Sequence, residues 1–294
     1  MPPADGNEKL VEFKKVCMNI IAIDIGNNNI TIALFVDSDE KFIKSIDGSD
    51  RRQITDILVD AWNRFPPVKS SKVNKREGVI VVSSVKPEWC DMVRDICAEQ
   101  LDEKIKVVGA DVDLPIEMGV DNKYEVGTDR IIAAAAAFAV VENAVAVADF
   151  GTAITIDLVD EEGIFLGGVI APGFGVSAEA LGINAAQLPK VEVKRPKDPI
   201  GANTVDAINA GLYYSAVGLL KTVCENYAVQ LGTWPQTIVT GGYAEIIKPD
   251  CEFVDSWVPN LVVKGIVLAY KKHLSKHAEL AELGEKNQQK GKKK

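Results

Sequence analysis

Two short stretches pair a carboxylate with a glycine two positions on: Asp24-Ile25-Gly26-Asn27-Asn28 and Asp149-Phe150-Gly151-Thr152-Ala153. Each also offers a short amide or hydroxyl side chain. Glycine lets backbone N–H groups turn towards an oxyanion, and Asn or Thr adds a donor, so the combination suits a phosphate cradle. The carboxylate would repel phosphate directly; its use there is to hold a cation that bridges to it. Asp-x-Gly is also ordinary hairpin-turn chemistry, so one copy alone would carry little weight. Two copies 125 positions apart, each bounded by apolar runs, carry more.

Asp129 is the candidate general base. It lies in Gly127-Thr128-Asp129-Arg130, beside a cation that could orient a substrate. An Ala-rich helical run follows, Ile131 to Val141, and the amide dipoles at its mouth favour an anion. The same aspartate could equally be a plain first-turn helix acid, and Arg130 a structural ion-pair partner. Thr204, after Asn203, reads either as a helix N-cap or as a ligand contact. Thr240-Gly241-Gly242 ends a strand and could admit a flat base, though it is also an ordinary strand end.

Strands must present these groups. Ile20 to Phe35 reads as apolar run, turn and apolar run, and Ala144 to Leu158 repeats the pattern. A repeat at this spacing indicates duplicated domains; solenoid periods are far shorter. The expectation is therefore two similar lobes across a cleft. Lys41–Ile46, Gly78–Val85, Ile105–Val108, Gly163–Gly173 and Gln236–Val239 are the further predicted strands. Helices are predicted at Arg52–Phe65, from Pro87 through Ile96, at Ser177–Leu188, at Val205 to Tyr227 and at Asn260–His273. Lys190–Pro199 reads as a polar excursion. The lobes are expected over 18–130 and 131–275, with 1–17 and the Lys-rich 276–294 as loose or peripheral ends.

At 294 residues, two domains can each bury a core. The net charge of −9, with positive charge gathered in the tail, argues against a nucleic-acid surface. No apolar run reaches membrane-span length. Five cysteines without a CxxC pair argue against a disulfide framework and for a cytoplasmic protein. With only His273 and His277 in the chain, no zinc site stands out. GxxxxGK[ST] is absent, which excludes a P-loop enzyme. Gly173-Phe-Gly-Val-Ser-Ala178 imitates a dinucleotide fingerprint but lacks the later acidic residue.

The order and spacing of Asp24-Ile-Gly-Asn27, Ser83-Ser-Val-Lys-Pro87, Gly127-Thr-Asp-Arg130, Asp149-Phe-Gly-Thr-Ala-Ile-Thr155, Gly167-Gly-Val-Ile-Ala-Pro-Gly173, Leu188-Pro189, Asn203-Thr-Val-Asp-Ala-Ile208 and Thr240-Gly-Gly242 resemble the type III pantothenate kinases. These belong to the superfamily of actin, sugar kinases and acetate kinase. The resemblance implies an α/β fold of two duplicated ribonuclease-H-like (actin-like ATPase) lobes, each a mixed β-sheet flanked by helices, in a homodimer. It implies ATP-dependent phosphorylation of pantothenate, the first step towards coenzyme A. By the same resemblance, Asp24, Ile25, Gly26, Asn27, Asn28, Asn29, Ile30 and Thr31 form the first ATP loop, with Asp24 near Mg2+. Gly151 and Thr152 belong to the second, and Asp149 coordinates a monovalent cation, K+ or NH4+. Gly127, Thr128, Asp129 and Arg130 hold pantothenate, with Asp129 as base, and Thr204 reaches the substrate from the partner lobe. The chain departs from the family pattern at Asn28, where Thr is usual, at Lys123, where Pro is common, and at Val120, where some members carry Tyr. A non-catalytic relative with a binding or regulatory role is the alternative.

Overall fold

The computed structural model describes residues 18–68 and 75–291; the expected end at 1–17 lies outside them. The described residues fall into two compact units, neither contiguous in sequence. The first holds 18–115, Gly127–Ile132 and the residues from Val262 onward; the second holds Ile116–Val126 and Ala133–Leu261. This differs from lobes cut at 130/131. Residues 116–126 go with the second unit, and the last helix goes with the first.

In the first unit, β1 (Ile20–Ile25), β2 (Asn29–Val36) and β3 (Asp39–Asp47) form an antiparallel meander. Helix α1 (Arg51–Asn63) leads to β4 (Val79–Ser84), and α2 (Pro87–Leu101) to β5 (Ile105–Val107). Both β4 and β5 are parallel to β1, giving the order β3-β2-β1-β4-β5. β1 and β4 lie inside the sheet, and their near-continuous β-branched runs are what burial on both faces requires. Asp50 starts α1 by accepting from the Gln53 N–H at 2.9 Å. Ile54, Ile57, Leu58, Ala61 and Trp62 then recur at helical spacing as its buried face. Pro87 opens α2, where a missing N–H costs nothing.

The second unit begins with β6 (Glu117–Met118) and takes in most of α3 (Thr128–Val141). There follow β7 (Val145–Phe150), β8 (Ala153–Val159), β9 (Ile164–Pro172), α4 (Phe174–Asn184), α5 (Thr204–Leu231), β10 (Gln236–Thr240), α6 (Ala244–Ile247) and β11 (Ser256–Trp257). Its sheet runs β9-β8-β7-β10-β11, the order of the first sheet, with β6 added outside β9. The final helix α7 (Leu261–Gly291) continues well past the expected stop at His273 and through most of the tail expected to be loose.

The duplication extends to single hydrogen bonds. Asp24 pairs with Thr31 across its hairpin, and Asp149 with Thr155. Gly26 N–H donates to the Asn29 carbonyl, and Gly151 N–H to the Ala153 carbonyl, both at 3.0 Å. Gly48 N–H donates to the Asn28 carbonyl, and Gly173 N–H to the Thr152 carbonyl, again both at 3.0 Å. A register shift falls between Leu34 and Phe35 in one meander and between Leu158 and Val159 in the other. These positions coincide when Thr31 is laid on Thr155. Asn28 and Thr152 therefore occupy the same place in the two turns.

Gly173 shows how tightly the second turn is built. A Cβ there would lie 2.3 Å from the Gly151 carbonyl oxygen and 2.5 Å from that of Thr152. Backbone cannot step aside as a side chain does, so Gly173→Ala should cost about 1–3 kcal/mol in a denaturant titration. Gly211, inside α5 with nothing near its Cβ direction, is the contrast. Gly211→Ala should gain roughly 0.5–1 kcal/mol from helix propensity. A loss at Gly173 beside a gain at Gly211 would not arise if the 151–152 turn were slack.

Candidate active site

β1 brings Asp24 to its second-last position, half-buried, with Oδ1 fully enclosed. The chain then turns over Gly26, Asn27 and Asn28, and Asn27 through Asn29 are exposed. Ile25 and Ile30 are fully buried, so their side chains serve the core and only their backbone faces the turn. Thr31 Oγ1 lies 3.2 Å from Ser45 Oγ on β3.

The parallel neighbour β4 places Ser83 in register with Asp24 and Ser84 with Ile25. Ser83 is fully buried, and its Oγ lies 3.0 Å from Thr128 Oγ1. Thr128 is also 3.4 Å from the Ser84 carbonyl. The first residue of α3 is thereby tied to the strand beside Asp24, and Asp129 is the next residue along. Arg130 N–H donates to Asp129 Oδ1 at 2.8 Å. A Cβ on Gly127 would lie 2.5 Å from that same Oδ1, so the carboxylate rests in the space glycine leaves open. Burial pushes the Asp129 carboxyl above its usual range, while the Arg130 N–H and its positive charge pull it partly back. Its neighbours Ile131 through Ala137 are all buried, as a helix hydrophobic on every face requires.

One cation at this corner escaped the sequence reading. Lys86 Nζ lies 3.2 Å from the Asn27 carbonyl, at the tip of the first turn. It sits over the Trp89 ring, 3.3 Å from the centroid, and that ring fills the space beside Gly48. Ser83 and Lys86 were visible only as members of a stretch; parallel register and a cation–π contact give them places.

In the second unit, Asp149 is likewise half-buried and Thr152 exposed. Parallel β10 sets Thr240 against Asp149, matching Ser83 against Asp24. Gly241, at φ +102°, lies so close to the end of β7 that a Cβ would meet Asp149 Oδ1 and the Phe150 nitrogen at 2.5 Å. Tyr243 N–H donates to the Phe150 carbonyl at 3.0 Å. Beyond this turn opens a cavity of about 590 Å³ lined by Gly175, Glu179, Lys190, Gly242, Tyr243 and Ile246, within the size range of ligand pockets. Helix α4 begins right after Gly173, so its N-terminus abuts the 151–152 turn.

The expected polar excursion over 190–199 is pinned. Val191 and Val193 are buried, and Arg195 forms a two-pronged pair with Asp250 at 2.9 and 3.0 Å. Asn203, not Thr204, caps α5, accepting from the Asp206 N–H at 3.0 Å. Thr204 is the first helical residue and is exposed, so capping does not account for it. Within the first unit, then, Asp24 to Thr31 and Gly127 to Arg130 meet; within the second, Asp149, Gly151, Thr152 and Thr240 to Gly242 meet. Thr204 has no described bond to either group.

A family model for type III pantothenate kinase matches residues 20–226. A type III pantothenate kinase of Moorella thermoacetica is 32% identical over 254 residues, covering 86% of this chain and 99% of that one. One from Solibacter usitatus is 33% identical over 259 residues, covering 86% and 97%. Among solved structures, a Campylobacter jejuni protein of the Baf transcriptional-activator family superposes with a TM-score of 0.53 at 18% identity, over 89% of this chain and all of that one; at that identity the likeness concerns the fold. With the duplicated sheets and the matched turns already in place, the chain belongs to the type III pantothenate kinase family.

Proposed function

We propose that this protein transfers the γ-phosphoryl group of ATP to the primary hydroxyl of pantothenate, giving 4′-phosphopantothenate and ADP. The observation that carries the reading is the path Asp24–Ser83–Thr128–Asp129, which supports a phosphate-type turn beside a half-buried carboxylate in the first unit. Asp129 accepts the hydroxyl proton as the oxygen attacks the γ-phosphorus and the bond to the β-phosphate oxygen breaks. A carboxyl held up by burial is a better proton acceptor than an exposed one. Arg130 holds the pantothenate carboxylate. Gly127 is a positioning residue: its missing side chain sets where the Asp129 carboxylate lies.

The first turn, Gly26 to Asn29, offers backbone and amide donors to the phosphates, and Lys86 adds a charge at its tip. Asn28, at the place in its turn that Thr152 holds in the second unit's turn, donates through its amide. Asp24 with Ser83, and Asp149 with Thr240, are hard oxygen donors, which fit Mg2+ and a monovalent cation respectively. Mg2+, when bound, neutralises charge on the phosphates during transfer.

Exposed Ile183, Ile200, Val205 and Tyr214 give the second unit apolar surface for a homodimer. Among the described residues no helix is long and apolar enough to cross a membrane. Cys90, Cys97, Cys224 and Cys251 are free and buried, which suits the reducing cytoplasm.

The test is ADP release by the purified chain with ATP, Mg2+ and K+. Release should depend on pantothenate; release indifferent to pantothenate would refute the assignment. Lys86→Ala should raise KM for ATP roughly 10- to 100-fold, the loss expected for one charge-assisted contact, with KM for pantothenate little changed.

A further inference from the structure

The chain has two histidines, and they stand one helical turn apart on α7, as His273 and His277. Their rings lie 4.2 Å apart, centroid to centroid. Spacing alone offered no third ligand. The fold supplies one from 160 residues away: Asp113, on the segment between β5 and β6. Its Oδ2 is 3.6 Å from His273 Nδ1 and 3.9 Å from His277 Nε2, and one donor atom from each of the three residues lies within 4.8 Å of the others. All three belong to the first unit.

We propose that Asp113, His273 and His277 bind a first-row divalent cation of the Zn2+, Ni2+, Co2+ or Cu2+ type. Two imidazoles and one carboxylate suit these borderline ions and not Mg2+, which prefers oxygen. Metal–ligand bonds of about 2.0–2.2 Å place neighbouring donor atoms roughly 3–4 Å apart, and the two separations to Asp113 already fall there. Histidines at i and i+4 share a helix face, the spacing by which a helix offers two nitrogens to one ion. The segment carrying Asp113 is anchored on both sides. Gly109 N–H donates to the Val112 carbonyl at 2.8 Å, and Lys272 Nζ reaches the Pro115 carbonyl at 3.0 Å. The ion replaces two weaker contacts: Lys276 Nζ to Asp113 Oδ2 at 3.2 Å, and Asp113 N–H to His273 Nδ1 at 3.3 Å. Lys276 is exposed and free to swing into solvent. With three protein ligands, water completes the shell. The bound ion pins α7 to the 109–115 segment and takes no part in phosphoryl transfer.

The probe is Zn2+, titrated by calorimetry into the full chain, stripped of metal and carrying no polyhistidine tag. One equivalent should bind, and His277→Ala and His273→Ala should each weaken it at least ~10-fold, as loss of one ligand of three demands. The double variant should lose the site while unfolding at the parent's temperature or above the assay temperature. As a measurement needing no variant, the two histidine ring signals in the NMR spectrum of the parent should shift with one equivalent of Zn2+. No binding, binding unchanged in the double variant, or ring signals that stay in place would overturn the proposal.

Discussion

Asp129→Asn should lower kcat by about 100- to 10,000-fold, the range of a lost general base, while KM for pantothenate and for ATP moves little. The amide is isosteric with the carboxylate and still accepts from the Arg130 N–H, so the corner around Thr128 and Ser83 keeps its shape. What it loses is the capacity to take a proton. The same substitution should raise stability at neutral pH. Burial raises the folded-state pKa of this carboxyl above its value in the unfolded chain. The folded state therefore binds more protons between the two values, and stability falls as pH rises through that window. Asn removes that penalty, so the variant should melt later than the parent at neutral pH and lose the advantage in acid. The acid limb of kcat/KM follows from the same group: activity should fall as pH drops through the Asp129 pKa, at a pH above the ordinary aspartate value of about 3.9. A slower enzyme that is no more stable would separate the two halves of this account and contradict the second.

Asp24→Asn should cut kcat by on the order of 100- to 1,000-fold, the scale of losing one fixed electrostatic group, and raise the Mg2+ concentration needed for half-maximal rate. Asp149→Asn, at the matching place in the other hairpin, should change the dependence on K+ instead and leave the Mg2+ requirement near the parent's. The duplication makes this a sharp comparison: both carboxylates sit one residue before the end of a central strand, opposite a hydroxyl on a parallel neighbour. Rates with varied Mg2+ at fixed K+, and the reverse, measure it. Two variants with the same response to both ions would contradict separate cation roles.

The hairpins were readable because apolar runs interrupted by Asp-x-Gly are a local signal, and helix α1 because its apolar spacing is regular; α5 buries Tyr213, Ala216 and Leu220 instead of the Leu212, Ser215 and Leu219 stripe its sequence suggests. The register shift shared by Leu34 and Leu158 was not, since it depends on pairing with β3 and β9. β6 and β11 have two residues each, too few to show a period. Helix α4 was expected over 177–188 yet spans Phe174–Asn184. Gly173, held to the Thr152 carbonyl, starts the helix early, and the chain leaves it before Pro189 would force a stop. The aspartates proposed for the site were legible by residue type. Ser83, Lys86 and the space beside Gly127 were not, because each acquires its meaning from a neighbour 40 or more residues away or from a side chain that is absent.

The central expectation is a phosphate-binding turn and a proton-accepting carboxylate sharing one corner of the first unit. A crystal structure with a non-hydrolysable ATP analogue, Mg2+ and pantothenate measures this directly. The expected result is the γ-phosphate on the backbone of Gly26 to Asn29, with an Asp129 carboxylate oxygen about 2.6–3.2 Å from the pantothenate primary hydroxyl. A nucleotide bound away from that turn, or a hydroxyl beyond reach of Asp129 directly or through one water, would contradict it.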